Sequence, residues 1–247
     1  MYKVECRKLI ASPFFLLSVI ALYFVILLGI RDFYPENEIS SMLETGMGRI
    51  GLTSLPFLTT MPTAWFASEE TICTHYYQLI RSNLKSFING KLISSLLSSI
   101  LIVLSSTFIY TLTMILTGHP IGDGRFSYEG TNLLLLKHLV ENNHYWLHYM
   151  CHILVFSVIA TLSPWISLIA STFTKNRYII FLAPFVVIRF LDVFGDLTGY
   201  FWIKPSHYRL SGTNIYELGM LRNLFICLLL FSNMSTDISV LHKEETS

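Results

Sequence analysis

Charge is what this chain has least of: 13% of its 247 residues are Asp, Glu, Lys or Arg, about half the share of a soluble domain. A net charge of +1 leaves no basic excess to hold a phosphate backbone, which excludes nucleic acid as an expected partner. Cysteine is scarce too. Cys6, Cys73, Cys151 and Cys227 stand far apart with no CxxC pair, which argues against a zinc site and against a disulfide framework. No GxxxxGK[ST] phosphate loop occurs; the nearest string, Asn89-Gly90-Lys91-Leu92, lacks the preceding glycine and the hydroxyl residue, so ATP is not bound by that route. The nucleophile elbow of serine hydrolases is missing as well. What is abundant is apolar: 53% of residues are hydrophobic and 14% aromatic, more than a soluble fold can bury. The expected class is all-α integral membrane.

Apolar runs set the expected spans. Residues 9–30 contain 22 positions without a charge before Arg31, enough to cross a hydrocarbon core of about 30 Å. The run is too long for a signal-peptide core, so it is expected to stay in the mature protein. A polar loop, 31–49, carries Asp32, Glu36, Glu38 and Glu44. The second span, 50–67, holds Pro56 and Pro62, whose freed carbonyls hydrocarbon cannot satisfy; a kinked helix packed against protein rather than lipid is expected. A third span, 92–118, is rich in serine (Ser94, Ser95, Ser98, Ser99, Ser105, Ser106). Those hydroxyls suit either close approach to a neighbouring helix or bonding to the span's own backbone. An outer loop over 119–150, with an interfacial helix near 131–143, leads through Tyr145, Trp146 and Tyr149 into a fourth span at 151–173. The fifth and sixth spans, 178–194 and 223–240, carry Arg189, Asp192 and Asp237, and 195–222 forms the last outer loop. With Met1 inside, Lys and Arg are about twice as dense in the inner segments as in the outer ones. The expectation is a six-helix bundle with both termini cytosolic.

Three groups of residues carry possible chemistry. His144, His148 and His152 share one helical face. They are expected to anchor the helix at the headgroups and to hold no metal, the alternative being a Zn²⁺ or Cu²⁺ shared by His144 and His148 with Glu141 as a third ligand. Arg189 and Asp192, three apart, are expected to form an intramembrane ion pair, with a part in substrate passage as the other reading. Glu69 and Glu70 followed by a distant HxxxH resemble the motifs of intramembrane CAAX-type proteases. That family's EExxxR places a basic residue where Thr74 stands here, and the topology separates the glutamates from the histidines, so no general acid–base pair forms.

The most informative stretch is 68–91, a polar cytosolic segment between the second and third spans. It opens on Glu69 and Glu70, continues through Thr71, Tyr76, Tyr77, Leu79 and Ile80, and closes on Arg81, Lys85 and Gly90-Lys91. In this layout the chain resembles the permease subunits of ABC-2 type ABC transporters, in which the second span ends at an acidic residue followed by a coupling helix and a basic step into the third. The resemblance covers nearly the whole chain in layout, although the Gly-Thr after the glutamate and the Pro before the basic residue that many members have are absent. It implies a non-catalytic permease in a bacterial cell membrane that works with a second permease copy or paralogue and with a separate ATPase dimer holding ATP and Mg²⁺. The ATPase contact would be Glu69, Glu70, Thr71, Tyr76, Tyr77, Leu79, Ile80 and Arg81: apolar knobs in a cleft, with charges setting orientation. It also implies export, and the expected cargo is a peptide, such as an antimicrobial peptide secreted or expelled for self-protection, or a lipid-like molecule. A non-transporting membrane scaffold or sensor is the reading from another class.

Overall fold

A computed structural model describes residues 2–31, 38–47, 52–81, 84–121, 139, 142–174 and 176–199. Seven helices are found among them: α1 (Tyr2–Ile10), α2 (Pro13–Ile30), α3 (Ile39–Gly46), α4 (Leu52–Arg81), α5 (Leu84–Leu116), α6 (Tyr145–Phe173) and α7 (Arg177–Thr198). No strand occurs among the described residues. Four stretches, Pro13–Ile30, Asn89–Leu116, Tyr145–Ser171 and Arg177–Thr198, are long and apolar enough to cross a membrane, compatible with a multi-pass membrane protein. The expected sixth span, 223–240, with Asp237, lies outside the described residues.

The first span begins later than its apolar run does. Residues 9 and 10 close α1, and Ser12 caps α2, its Oγ accepting from the Phe15 N–H at 3.1 Å, with Pro13 in the first turn where its missing N–H costs least. The 31–49 loop is not wholly polar. Ile39, Met42, Leu43 and Met47 recur at helical spacing and are buried, so α3 packs an apolar stripe on α2. Gly29 and Gly46 make the contact: a Cβ on Gly29 would lie 2.6 Å from the Gly46 carbonyl oxygen. The Ile39 and Ser40 N–H groups donate to the carbonyls of Pro120 and Ile121, at 2.9 and 3.3 Å, tying α3 to the segment after α5. There α5 ends in a Schellman turn: Gly118 (φ 87°) donates to Ile115 O and His119 to Met114 O.

At the centre stands α4, which touches α2, α5, α6 and α7. It is missing from the membrane-length set because its apolar part is interrupted by Thr53, Ser54, Thr59, Thr60 and Thr63. Thr59, Thr60 and Thr63 are buried among neighbouring helices, so α4 is solvated by protein. On α5 the serines satisfy both readings at once. Ser94, Ser95, Ser99 and Ser106 are buried against neighbours while their hydroxyls donate to carbonyls three residues back.

Candidate functional site

Two sets of contacts mark the two ends of the bundle. At one, Phe14 of α2 lies tilted against Trp65 of α4 (centroids 4.4 Å apart), and the Arg177 guanidinium lies 5.1 Å above the same indole. At the other, the Thr111 and Tyr149 hydroxyls, 2.5 Å apart, join α5 to α6.

The interior between the two ends is marked by proline. Each helix of the α4–α6–α7 group contains at least one: Pro56 and Pro62, Pro164, and Pro184. A proline cannot donate to the carbonyl four residues back. For Pro184 that carbonyl belongs to Ile180, and it is taken by the Ser167 hydroxyl of α6 at 2.9 Å. The bond a helix would make within itself is made here between two helices. Phe57 of α4 meets Phe185 and Phe181 of α7 close by, with centroids 4.5 and 5.6 Å away.

A crevice of about 40 Å³ opens where the three helices meet, lined by Thr53, Pro56, Ser163, Phe185, Arg189 and Asp192 among others. Its size would admit about two or three water molecules, but Leu55, Ile159, Leu162 and Ile188 make most of its wall apolar. Arg189 Nη1 lies 3.7 Å from Asp192 Oδ2; the arginine side chain is 45% exposed and the aspartate 10%. The guanidinium also sits 5.5 Å above the Phe185 ring. One partner therefore stays at the bundle surface while the other turns inward.

The polar segment occupies the end of α4, which continues in one piece from Leu52 past Ala67 to Arg81; α5 begins at Leu84. The coupling helix that the resemblance implies within 68–91 is thus, up to Arg81, an extension of α4. The side chains of Glu69, Glu70, Thr71, Tyr76, Tyr77, Leu79, Ile80 and Arg81 lie outside the described residues. Glu69 and Glu70 follow Ala67 near the Trp65–Arg177 end, and His148 is one residue from Tyr149 at the other, so the protease-like combination is not brought together.

The histidine stripe divides. His144 is exposed and precedes the first turn of α6, giving no side-chain cap. His148 and His152 are buried, at 4% and 5% exposure, with Nε2 atoms 3.2 Å apart. Headgroup anchoring needs side chains that reach the bundle surface, which these two do not. Glu141 lies outside the described residues. Among the described residues no group of three or more His, Cys, Asp or Glu is placed to hold a metal.

Among the described residues these features define a helical bundle in which four helices of membrane-crossing length accompany a more polar one, α4. Compared with protein-family models, with curated proteins and with solved structures, the chain matches none.

Proposed function

We propose that this chain is the membrane-spanning subunit of an ATP-driven exporter of the ABC-2 type, with six spans, both termini cytosolic, and a separate ATPase dimer acting on the 68–91 segment. The observation that carries the reading is the continuity of α4. The helix enclosed by four others extends about 21 Å beyond Ala67, at 1.5 Å per residue, as a stiff polar arm. A force on that arm reaches the α4–α6–α7 crevice along one continuous helix. The chain carries no phosphate loop of its own, so the energy source is another subunit. A second permease copy or paralogue completes the pathway, and a peptide or lipid-like cargo suits walls of Phe, Tyr and Ser.

The test is coupling. Co-expressed with the ABC-type ATPase that this reading requires as its partner, the wild-type chain is expected to co-purify with that subunit and to stimulate ATP hydrolysis. Tyr77→Ala combined with Leu79→Ala abolishes co-purification. Two glycines inserted after Ala67 leave the complex intact but remove stimulation, because Gly breaks the stiffness of the arm. A Tyr77→Ala/Leu79→Ala chain that binds and drives the ATPase at the wild-type rate refutes the assignment.

A further inference from the structure

Arg189 is the charge least at home in its surroundings. It stands about 18 Å along α7 from Arg177 and about 13 Å from Thr198, at 1.5 Å per residue, so neither end of this membrane-length helix is near. Its side chain is nevertheless almost half exposed on the outside of the bundle. We propose that Arg189, at the mouth of the α4–α6–α7 crevice, binds the carboxylate of a single-chain amphiphile whose acyl tail lies along the exposed face of α7. The site requires α7 to span a membrane and does not depend on the ATP-driven reading.

The guanidinium is short of acceptors. Its Nη1 lies 3.7 Å from Asp192 Oδ2, close enough for charge attraction but too far for a hydrogen bond. The Phe185 ring lies beneath the group at 5.5 Å and attracts its charge without accepting in its plane. Among the described residues no acceptor stands at hydrogen-bond length from it. Hydrocarbon supplies none either, so the exposed cation needs an oxygen from another molecule.

Shape and surroundings narrow the ligand. A planar guanidinium takes a carboxylate through two parallel N–H···O bonds. The crevice, at about 40 Å³, has room for a group of that size and not for a bulky headgroup. The tail has its own track: Val186, Phe190 and Val193, each more than half exposed, follow at helical spacing past Arg189, and Phe190 stacks on Phe194 one turn on. A cation flanked by an apolar stripe suits an anion that carries a chain. Asp192, turned inward, competes with that anion for the same guanidinium.

The experiment immobilises the full chain in maltoside micelles and titrates it with radiolabelled palmitate at about pH 9, where the carboxylate is ionised. Saturable binding above that of empty micelles is counted, with no ATPase present, so the result is separate from that of the coupling test. The wild type takes up one equivalent. Unlabelled palmitate displaces the label; methyl palmitate, the chain without the charge, and acetate, the charge without the chain, do not. Arg189→Gln weakens binding about tenfold or more. Asp192→Asn strengthens it a few-fold, because the competing carboxylate is gone, a change that poor folding cannot imitate. Arg7→Gln, on α1, matches the wild type. The proposal is overturned if Arg189→Gln binds as tightly as the wild type, or if an Asp192→Asn chain that melts like the wild type binds more weakly. It is equally overturned if methyl palmitate or acetate competes as well as palmitate, or if phosphatidylglycerol displaces the label at lower concentration than palmitate does.

Discussion

Replacing Ser167 by alanine removes one hydroxyl, and the structure says where the loss falls. The Ile180 carbonyl has no amide partner within its own helix, because residue 184 is proline. Ser167 supplies the bond from α6, and Ser167, Ile180 and Pro184 are all buried. Hydrogen bonds between membrane helices contribute about 0.6 kcal/mol on average and up to about 1.7. Leaving a buried carbonyl unpaired costs about 1–3 kcal/mol. The acceptor is buried and residue 184 cannot donate to it, so Ser167→Ala is expected to destabilise by about 1–2 kcal/mol. The distinguishing step is the second background. In Pro184→Ala the new amide of residue 184 donates to Ile180 O, so adding Ser167→Ala then costs less than about 0.5 kcal/mol. Equilibrium unfolding of the four proteins in mixed micelles, followed by tryptophan fluorescence, gives the cycle. A Ser167→Ala penalty of the same size in both backgrounds refutes the argument, because the hydroxyl would then act through packing alone.

Two glycines give a graded pair. Gly29→Ala puts a methyl 2.6 Å from a backbone oxygen of α3, so the helices must separate at a cost of about 1–3 kcal/mol, whereas Gly118→Ala meets no atom within 4 Å and loses only about 1 kcal/mol to its positive φ. Thermal unfolding in detergent should rank them in that order, and equal shifts would contradict the α2–α3 contact. For the ion pair the effect is asymmetric: Arg189→Met leaves the inward Asp192 beside an apolar neighbour and costs about 1–3 kcal/mol, Asp192→Asn costs less because Arg189 reaches the surface, and the double variant recovers most of the loss. Unfolding of the three variants decides it, and identical penalties for the two single changes would contradict the burial difference.

The long apolar runs were readable because a span needs only length and freedom from charge, and four helices of that kind stand where such runs occur. Their ends were less legible. Ser12-Pro13 is a helix start that the uninterrupted hydrophobicity of 9–30 conceals. The carboxylates of 31–49 drew attention from Ile39, Met42, Leu43 and Met47, whose spacing already described a buried face. The Ser167–Ile180 bond could have been suspected, since a proline within a span demands a donor from elsewhere, but the sequence does not say which serine supplies it. The histidine spacing was visible, yet a helical stripe does not reveal whether lipid or protein faces it. Only the packing of α6 turns His148 and His152 inward and leaves His144 out.

The composition of α4 has a consequence for how force could travel. Threonines and two prolines make it the least lipid-like of the long helices, and protein surrounds it where lipid would not tolerate those groups. The hydroxyls of Thr59 and Thr60 are engaged by carbonyls of their own helix, those of Leu55 and Pro56. The neighbouring α6–α7 pair is different: Ser167 locks it with a bond across the interface. The crevice with Arg189 and Asp192 lies where α4 meets that α6–α7 pair, beside the Phe57–Phe185 ring contact. On the exporter reading proposed above, the α4 arm would deliver its push at that boundary.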